Sequence, residues 1–317
     1  MVAWIDGRFV PSHEALLPVG DAGFVLGTTV TEQMRTFHGR IFLPAEHAGR
    51  FRDSLQCVGI APRWPMETLF EFAAEVAGRC HSAGRSDDDL GVILFATPGD
   101  LPAQHGGRPG SPRVVIHAFP LAFASWAQAY DGGVSLRAVS VTQVPASCWP
   151  IGLKCRSRMH YHLADREAHH TEPGSRALLL HADGRVSETA TANIAIVRDG
   201  AILTPQEGDA LAGVSLGQLR SLVQTEGIAW QEATLRAGDL ATADEILLTS
   251  TPNCLLPVTR LDGHPVGGGT PGPLYRKLLA AWSREVGLDI AAQARAAFER
   301  AIPLPRPSIR AAEDPAA

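Results

Sequence analysis

The stretch "IGLKCRSRMHYHLADREAHH", residues 151–170, sets one lysine among three arginines and four histidines. Lys154 follows the apolar run "WPIGL" (149–153), which suggests that it emerges from a buried strand rather than a surface loop. Helical spacing takes over after it, from about Ser157 to His170. A lysine desolvated among cations has a lowered pKa, which makes its amine a usable nucleophile. A surface lysine beside a solvated basic helix would have the same composition, so the segment needs the rest of the chain to be read.

The chain has 317 residues, 45% hydrophobic and 19% charged, with a net charge of −5. A pI near 6.2 and a mean hydropathy near zero fit a soluble globular protein large enough for two domains. The balance of charge excludes a general attraction to nucleic acid or to an anionic membrane. The opening "MVAWIDGRFVPSHEALLPVG" shows no basic stretch followed by an apolar core, and apolar runs such as "LGVILFA" (90–96) are too short to cross a bilayer. Five scattered cysteines without a C-x-x-C pair fit reduced thiols, so the expectation is a cytoplasmic protein.

Working outward from the lysine, turn pairs at Asp6-Gly7 and His38-Gly39 centre hairpins in "AWIDGRFVP" (3–11) and "TTVTEQMRTFHGRIFLP" (28–44). Helical spacing covers 45–60, with Gly59 as its stop, and 65–80. Strands are expected at 90–97, 112–121 and 134–145, with the long Gly/Pro loop "PGDLPAQHGGRPGSP" (98–112) between the first two. Segment 177–205 reads as four strands with turns at Asp183-Gly184 and Asp199-Gly200. A helix at 214–228, a strand at 244–251 and a helix at 271–287 complete the pattern. The expected division is a smaller N-terminal α+β domain (1–124), a larger β-rich domain (125–302) and a tail (303–317) with little to bury.

Several segments carry candidate chemistry. Glu188, in "GRVSETATANIAIV" (184–197), stands beside small residues, where a carboxylate could hold a protonated heteroaromatic nitrogen. Three places suit an anion: Arg50 on the helix of "EHAGRF", the helix start at Gly213, Val214 and Ser215, and the strand end at Ser250 and Thr251. Each alone also reads as a surface cation, an ordinary cap or a strand end.

Taken in order over about residues 3–290, these segments resemble the class IV, fold-type IV pyridoxal-phosphate enzymes. That group includes branched-chain and D-amino-acid aminotransferases, R-selective amine transaminases and aminodeoxychorismate lyase. The resemblance rests on Lys154 before "ADREA", on "VSETATANIAIV", "LTPQEGDALAGVSLGQLRSL" and "LLTSTPNCLLPVTRLDGHPVGGGTPGP", and on "GDAGFVLGTTVTEQMRTFHGRIFLPAEHAGRF". It implies an α+β fold of two domains with pyridoxal 5'-phosphate between them. Lys154 would form the Schiff base and shuttle the proton, and Glu188 would pair with the pyridine nitrogen. Arg50, Val214, Ser215 and Thr251 would cup the phosphate. Arg156 and Arg158 would help keep the lysine deprotonated. The implied reaction moves an amino group from an amino acid or amine to a keto acid. The implied assembly is a homodimer, with loop 98–112 of the partner closing the pocket.

The sequence departs from the family at the substrate side. Met159 replaces the tyrosine five residues after the lysine in branched-chain enzymes, although Tyr161 lies two further on. Thr31 replaces a usual aromatic residue, Pro98 takes the place of the carboxylate-trapping arginine of D-amino-acid enzymes, and Pro252 lacks an N–H that branched-chain enzymes use. A substrate carboxylate then needs another cation, and Arg35, Arg156 and Arg158 are the choices, with Arg158 preferred. Arg158 also gives the lyase branch a claim, so an aminodeoxychorismate-type elimination and a cofactor binder without turnover stay open. A metal site on His160, His162, His169 and His170 lacks H-E-x-x-H and has arginines beside it, so no metal is expected.

Overall fold

The computed structural model describes residues 1–84 and 89–301. The chain opens with β1 (Val2–Ile5) and β2 (Arg8–Pro11), joined by Asp6-Gly7 with φ of 47° and 96°. Positive φ at both turn residues matches the twist of paired strands, and Asp-Gly reaches it at low cost. The short helix α1 (Ala22–Val25) precedes β3 (Val30–Phe37) and β4 (Arg40–Ile41). Helices α2 (Pro44–Val58) and α3 (Met66–Ser82) follow, then β5 (Leu90–Thr97) and β6 (Arg113–Pro120). The six strands form an antiparallel sheet in the order β2-β1-β6-β5-β3-β4.

Alternation along β3 positions the site. Val30 and Met34 join Trp4, Leu94 and Ile116 in a core covered by Phe51 and Leu55 of α2 and Leu69 and Val76 of α3. Thr31, Gln33, Arg35 and Phe37 lie on the opposite face. Phe37 packs there into the core of the second half of the chain.

That second half starts with α4 (Phe123–Trp126), α5 (Ala129–Gly132), β7 (Val134–Ala138) and α6 (Met159–Thr171). Strands β8 (Arg176–Leu180), β9 (Val186–Thr189), β10 (Asn193–Arg198) and β11 (Ala201–Pro205) lead to α7 (Val214–Thr225), β12 (Trp230–Ala233) and α8 (Ala237–Ala241). The chain continues through β13 (Glu245–Ser250), β14 (Cys254–Leu261), β15 (His264–Pro265), α9 (Pro273–Val286) and α10 (Ile290–Ala301). The strand order is β12-β11-β10-β13-β14-β7-β8-β9, with β15 on β14. β9 ends one side of this order and β10 lies near the other, yet only residues 190–192 separate them. The sheet therefore curls on itself, and the turn that joins these strands begins two residues after Glu188.

Two expectations need correction, and one strand lies outside them. The strand expected at 134–145 ends at Ala138, because the chain then bulges: regular pairing with β8 lapses before the Gln143 N–H donates to the Leu180 carbonyl at 2.9 Å, and the Gln143 side chain turns towards Glu188. Helix α6 starts at Met159, since the Ser157 hydroxyl is committed to the Gly27 carbonyl. Strand β14 was hidden by Pro257. Its missing N–H is tolerated because pairing with β7 starts only at Val258. The tail expected to be disordered, 303–317, lies outside the described residues.

Candidate functional site

Lys154 does not lie in a named strand but in an extended segment bridged to β3. The Thr31 N–H donates to the Lys154 carbonyl at 3.1 Å, and the Arg156 N–H donates to the Thr29 carbonyl at 2.8 Å. The Lys154 N–H itself donates to Ser54 Oγ of α2 at 3.2 Å. With its backbone pinned on both sides, the side chain enters an open cavity lined by Arg50, Arg158, Tyr161, Glu188, Val214, Ser215 and Thr251. Burial lowers the Lys154 pKa to about 8, helped by Arg50 and then Arg158, while Glu32 and Glu188 oppose the fall. Arg50, rather than Arg156, is thus the leading cation acting on the amine.

Glu188 on β9 is buried, and both its oxygens have donors. Tyr161 Oη donates at 2.6 Å and Gln143 Nε2 at 3.2 Å to one, and Asn193 Nδ2 donates at 3.3 Å to the other. Burial still raises its pKa against these donors and against Lys154. A carboxylate held in place yet short of compensating charge suits a cationic partner.

Opposite it, the cup is built from three elements. Helix α7 starts at Gly213 with no side-chain cap, leaving the first N–H groups open to an anion. Gly213 is required by close approach, since a Cβ there would lie 1.8 Å from Asn193 Oδ1. Thr249 Oγ1, at the end of β13, is buried in the cavity wall without a hydrogen-bond partner among the described residues. Arg50 reaches from α2 and donates to the Ala212 carbonyl at 3.0 Å.

Arg50 is aimed by residues that sequence reasoning did not single out. Glu32 of β3 is fully buried and accepts from Arg50 Nε at 3.0 Å and from His47 Nδ1 at 2.9 Å. Burial alone would raise the Glu32 pKa, but Arg50 and His47 overcome it and hold the value at about 2. Burial pushes the His47 pKa down against the pull of Glu32. His47 and Arg50 are three residues apart on one helix face, which is the signal that could have revealed them. Gln143 and Thr249 carry no such signal, because only folding brings them to the cavity.

The three substrate-side candidates part company. Arg158 lines the cavity, with its guanidinium carbon 4.5 Å from the Tyr161 ring centre, and donates to the Ala190 carbonyl. Thr31 is buried beside the Lys154 backbone, and its hydroxyl lacks a partner among the described residues. Arg35 turns away from the lysine. It donates to the Pro252 carbonyl at 3.0 Å, Cys254 Sγ at 3.4 Å and Gln293 Oε1 at 3.1 Å, and lies 3.9 Å from the Phe37 ring centre. Among the described residues, no group of three or more His, Cys, Asp or Glu side chains could hold a metal ion.

An amine of lowered pKa, a carboxylate across the same cavity and an anion cup define the class: the chain belongs to the class IV aminotransferases, whose family profile matches residues 29–261. Its particular likenesses run to two branches of that family. It is 26% identical over 285 residues to the D-alanine aminotransferase of Staphylococcus haemolyticus, covering 89% of this chain and 97% of that one. It is 29% identical to branched-chain-amino-acid aminotransferase-like protein 1 of Arabidopsis thaliana, covering 90% of this chain and 50% of that one. The crystal structure of the Escherichia coli branched-chain amino acid aminotransferase superposes with a TM-score of 0.82 at 25% identity, covering 90% of this chain and 94% of that one. The fold is thus the α+β fold of these enzymes.

Class IV aminotransferases use pyridoxal 5'-phosphate, and the residues present fit that group. The uncapped α7 N-terminus, the orphaned Thr249 hydroxyl and Arg50 suit a phosphate. Glu188 suits a protonated ring nitrogen, and Lys154 suits the aldehyde. Among the described residues, no helix is long and apolar enough to cross a membrane.

Proposed function

We propose that Lys154 is the amine through which this aminotransferase holds its cofactor and then moves the substrate proton. The observation that supports this most is that Lys154, Glu188, Arg50, Val214, Ser215 and Thr251 line one cavity. Bound there, pyridoxal phosphate supplies an electron sink for bond breaking next to the amino group. Glu188, fixed by Tyr161, Gln143 and Asn193, keeps the ring nitrogen protonated. Arg50, the Val214 and Ser215 N–H groups and Thr251 hold the phosphate, with Glu32 and His47 aiming Arg50. Lys154, freed when substrate arrives, takes and returns the proton at the carbon bearing the amino group.

The substrates in this reading are an α-amino acid or amine as donor and a keto acid as acceptor, in the cytoplasm. The relatives' names, D-alanine and branched-chain amino acid aminotransferases, favour amino transfer over elimination. The working division is into two domains near residue 125, between the last strand of the six-stranded sheet and β7.

The test is reduction of the cofactor-loaded protein with borohydride, then peptide mapping. Lys154 should carry the label and Lys154→Ala should carry none, while an amino donor should bleach the bound cofactor's absorbance in the wild type only. Label on another lysine would overturn the assignment.

A homodimer is part of the same reading. Leu16, Val19, Phe24 and Leu26 are more than half exposed, as is Met159 near the cavity. The Ser157–Gly27 hydrogen bond brings the two apolar groups together. Loop 98–112 is tied alongside by Arg113, which pairs with Asp21 at 2.8 Å and Asp100 at 2.9 Å. Sedimentation at working concentration should give twice the chain mass, and Phe24→Asp should shift it to the monomer. A fully active wild-type monomer would remove this part of the reading.

A further inference from the structure

Among the histidines of α6, His160 turns towards the lysine. It lines a cavity beside Lys154 together with Gln143, Tyr161 and Glu188. Its ring centre lies 3.9 Å from that of Tyr161, and Trp149 stands edge-on at 6.4 Å. Its Nε2 is 3.1 Å from Oε1 of Gln143, whose Nε2 in turn reaches Glu188 Oε1 at 3.2 Å. An amide supports a carboxylate only through its nitrogen end, so the orientation of Gln143 decides whether this chain helps Glu188 or opposes it.

The surrounding groups fix that orientation. The Val144 N–H can only donate, and it meets Gln143 Oε1 at 2.9 Å. On the other side, the Ser187 hydroxyl hydrogen is committed to the Asp209 carbonyl and the Tyr161 hydroxyl hydrogen to Glu188, both at 2.6 Å. Both hydroxyls can therefore only accept from Gln143, at 3.1 Å and 3.2 Å, and Glu188 is a third acceptor beside them. Oxygen faces Val144 and His160, and the NH2 group faces Glu188. With an oxygen as its neighbour, the Nε2 of His160 carries the hydrogen. Gln143 is buried, and its own N–H is held by the Leu180 carbonyl of β8.

We propose that His160 is a positioning residue for the cofactor's ring nitrogen: by donating from Nε2 to Gln143 it keeps the amide N–H groups on Glu188. This rests on the reading of Glu188 as the carboxylate that faces that nitrogen. Tyr161, Gln143 and Asn193 donate to Glu188 without carrying charge. They favour the ionised carboxylate and leave its charge to be balanced by the protonated ring. Burial works against them, raising the Glu188 pKa. A misdirected amide adds to burial, because its oxygen repels the carboxylate charge, and the proton then moves from the ring nitrogen to the Glu188 oxygen. Burial and Arg158 lower the His160 pKa, which favours the neutral ring. The histidine then supplies direction without supplying a cation.

Nitrogen NMR of the cofactor-loaded wild type should show the His160 hydrogen on Nε2. Hydrogen on Nδ1 alone would overturn the proposal without any variant having to fold. A second measurement loads wild type, His160→Phe and Gln143→Met with pyridoxal phosphate isotope-labelled at the ring nitrogen. That nitrogen should be protonated in the wild type and lose protonation in both variants. His160→Gln, which brings an amide donor near the Nε2 position, should restore it. Affinity in His160→Phe and Gln143→Met should fall about 3- to 30-fold for pyridoxal phosphate, but less than about twofold for its deaza analogue, which has carbon in place of the ring nitrogen. A merely structural role would weaken both cofactors alike. Equal losses for the two cofactors, or a ring as protonated in the variants as in the wild type, would each overturn the relay. Glu188→Gln reads the underlying assignment apart from it: a ring that keeps its proton there has another partner, whatever His160 does.

Discussion

Lys154 shows how one residue acquires reactivity from its surroundings. In water its amine would be almost wholly protonated at neutral pH. Burial and Arg50 bring its pKa to about 8, and the carboxylates of Glu32 and Glu188 stop it falling further. Only the neutral amine attacks an aldehyde, and its fraction grows as pH rises through the pKa. The rate at which cofactor-free protein captures pyridoxal phosphate should therefore climb through about pH 8 and level off above it, as followed by stopped-flow absorbance. A flat profile between about pH 6 and pH 10 would mean that a different step or residue sets capture. The lysine was legible in the sequence because it follows an apolar run, and family resemblance assigned its partner Glu188. The source of the pKa shift was not legible. Flanking arginines suggested Arg156 and Arg158; Arg158 contributes, but Arg50, more than a hundred positions away, is the leading cation.

Among the elements, the α7 N-terminus and the β9–β10 turn form one unit. Asn193 joins them by donating to the Leu211 carbonyl at 2.8 Å and to Glu188. Gly213 leaves room for that side chain. Gly213→Ala would force Asn193 Oδ1 aside and disturb both hydrogen bonds, loosening the anion cup and the ring-nitrogen carboxylate together. The expected outcome is a loss of about 1–3 kcal/mol in stability and at least about tenfold weaker cofactor binding, equivalent to about 1.4 kcal/mol. Denaturant melts and cofactor titration measure the two. A variant with unchanged cofactor affinity would show that the two features are independent. Helix α7 itself was readable from spacing, and its start from the Gly-Val-Ser run. The contact between Gly213 and Asn193 was not, because it joins segments twenty residues apart through a turn whose path depends on the curl of the sheet.

For the whole molecule, β3 is the connection. Its Glu32 aims Arg50 into the cavity from one face, while Arg35 on the other grips the turn after Thr251 and reaches α10 through Gln293. Gln293 donates in turn to Asp89 at 2.8 Å, and Asp89 accepts from Thr36 at 2.8 Å. Both halves of the chain are locked to one strand, and Arg35 belongs to that lock instead of the substrate site. Arg35→Met should remove the donors of several buried acceptors and cost about 2–4 kcal/mol. It should also broaden the melting transition as the halves separate, read by calorimetry with and without cofactor. An unchanged melt would show that the halves are held by apolar packing alone.

The sequence by itself determined the elements and the cast of the site. Turn pairs such as Asp6-Gly7 dictate hairpins through local dihedral preference, and helical spacing and its stops are likewise local. The order of five motif segments carried the family and, with it, Lys154, Glu188 and the anion cup. Tertiary structure decided what each charge does. Arg35, Arg50, Arg156 and Arg158 are the same residue type and look interchangeable along the chain. Folding buries one between the halves, pairs one with Glu32, and leaves two on the lysine segment with no carboxylate in contact among the described residues. Coulomb energy depends on distance and local dielectric, and both are set by contacts between residues far apart in sequence. That is why the cations could be named in advance but their roles could not.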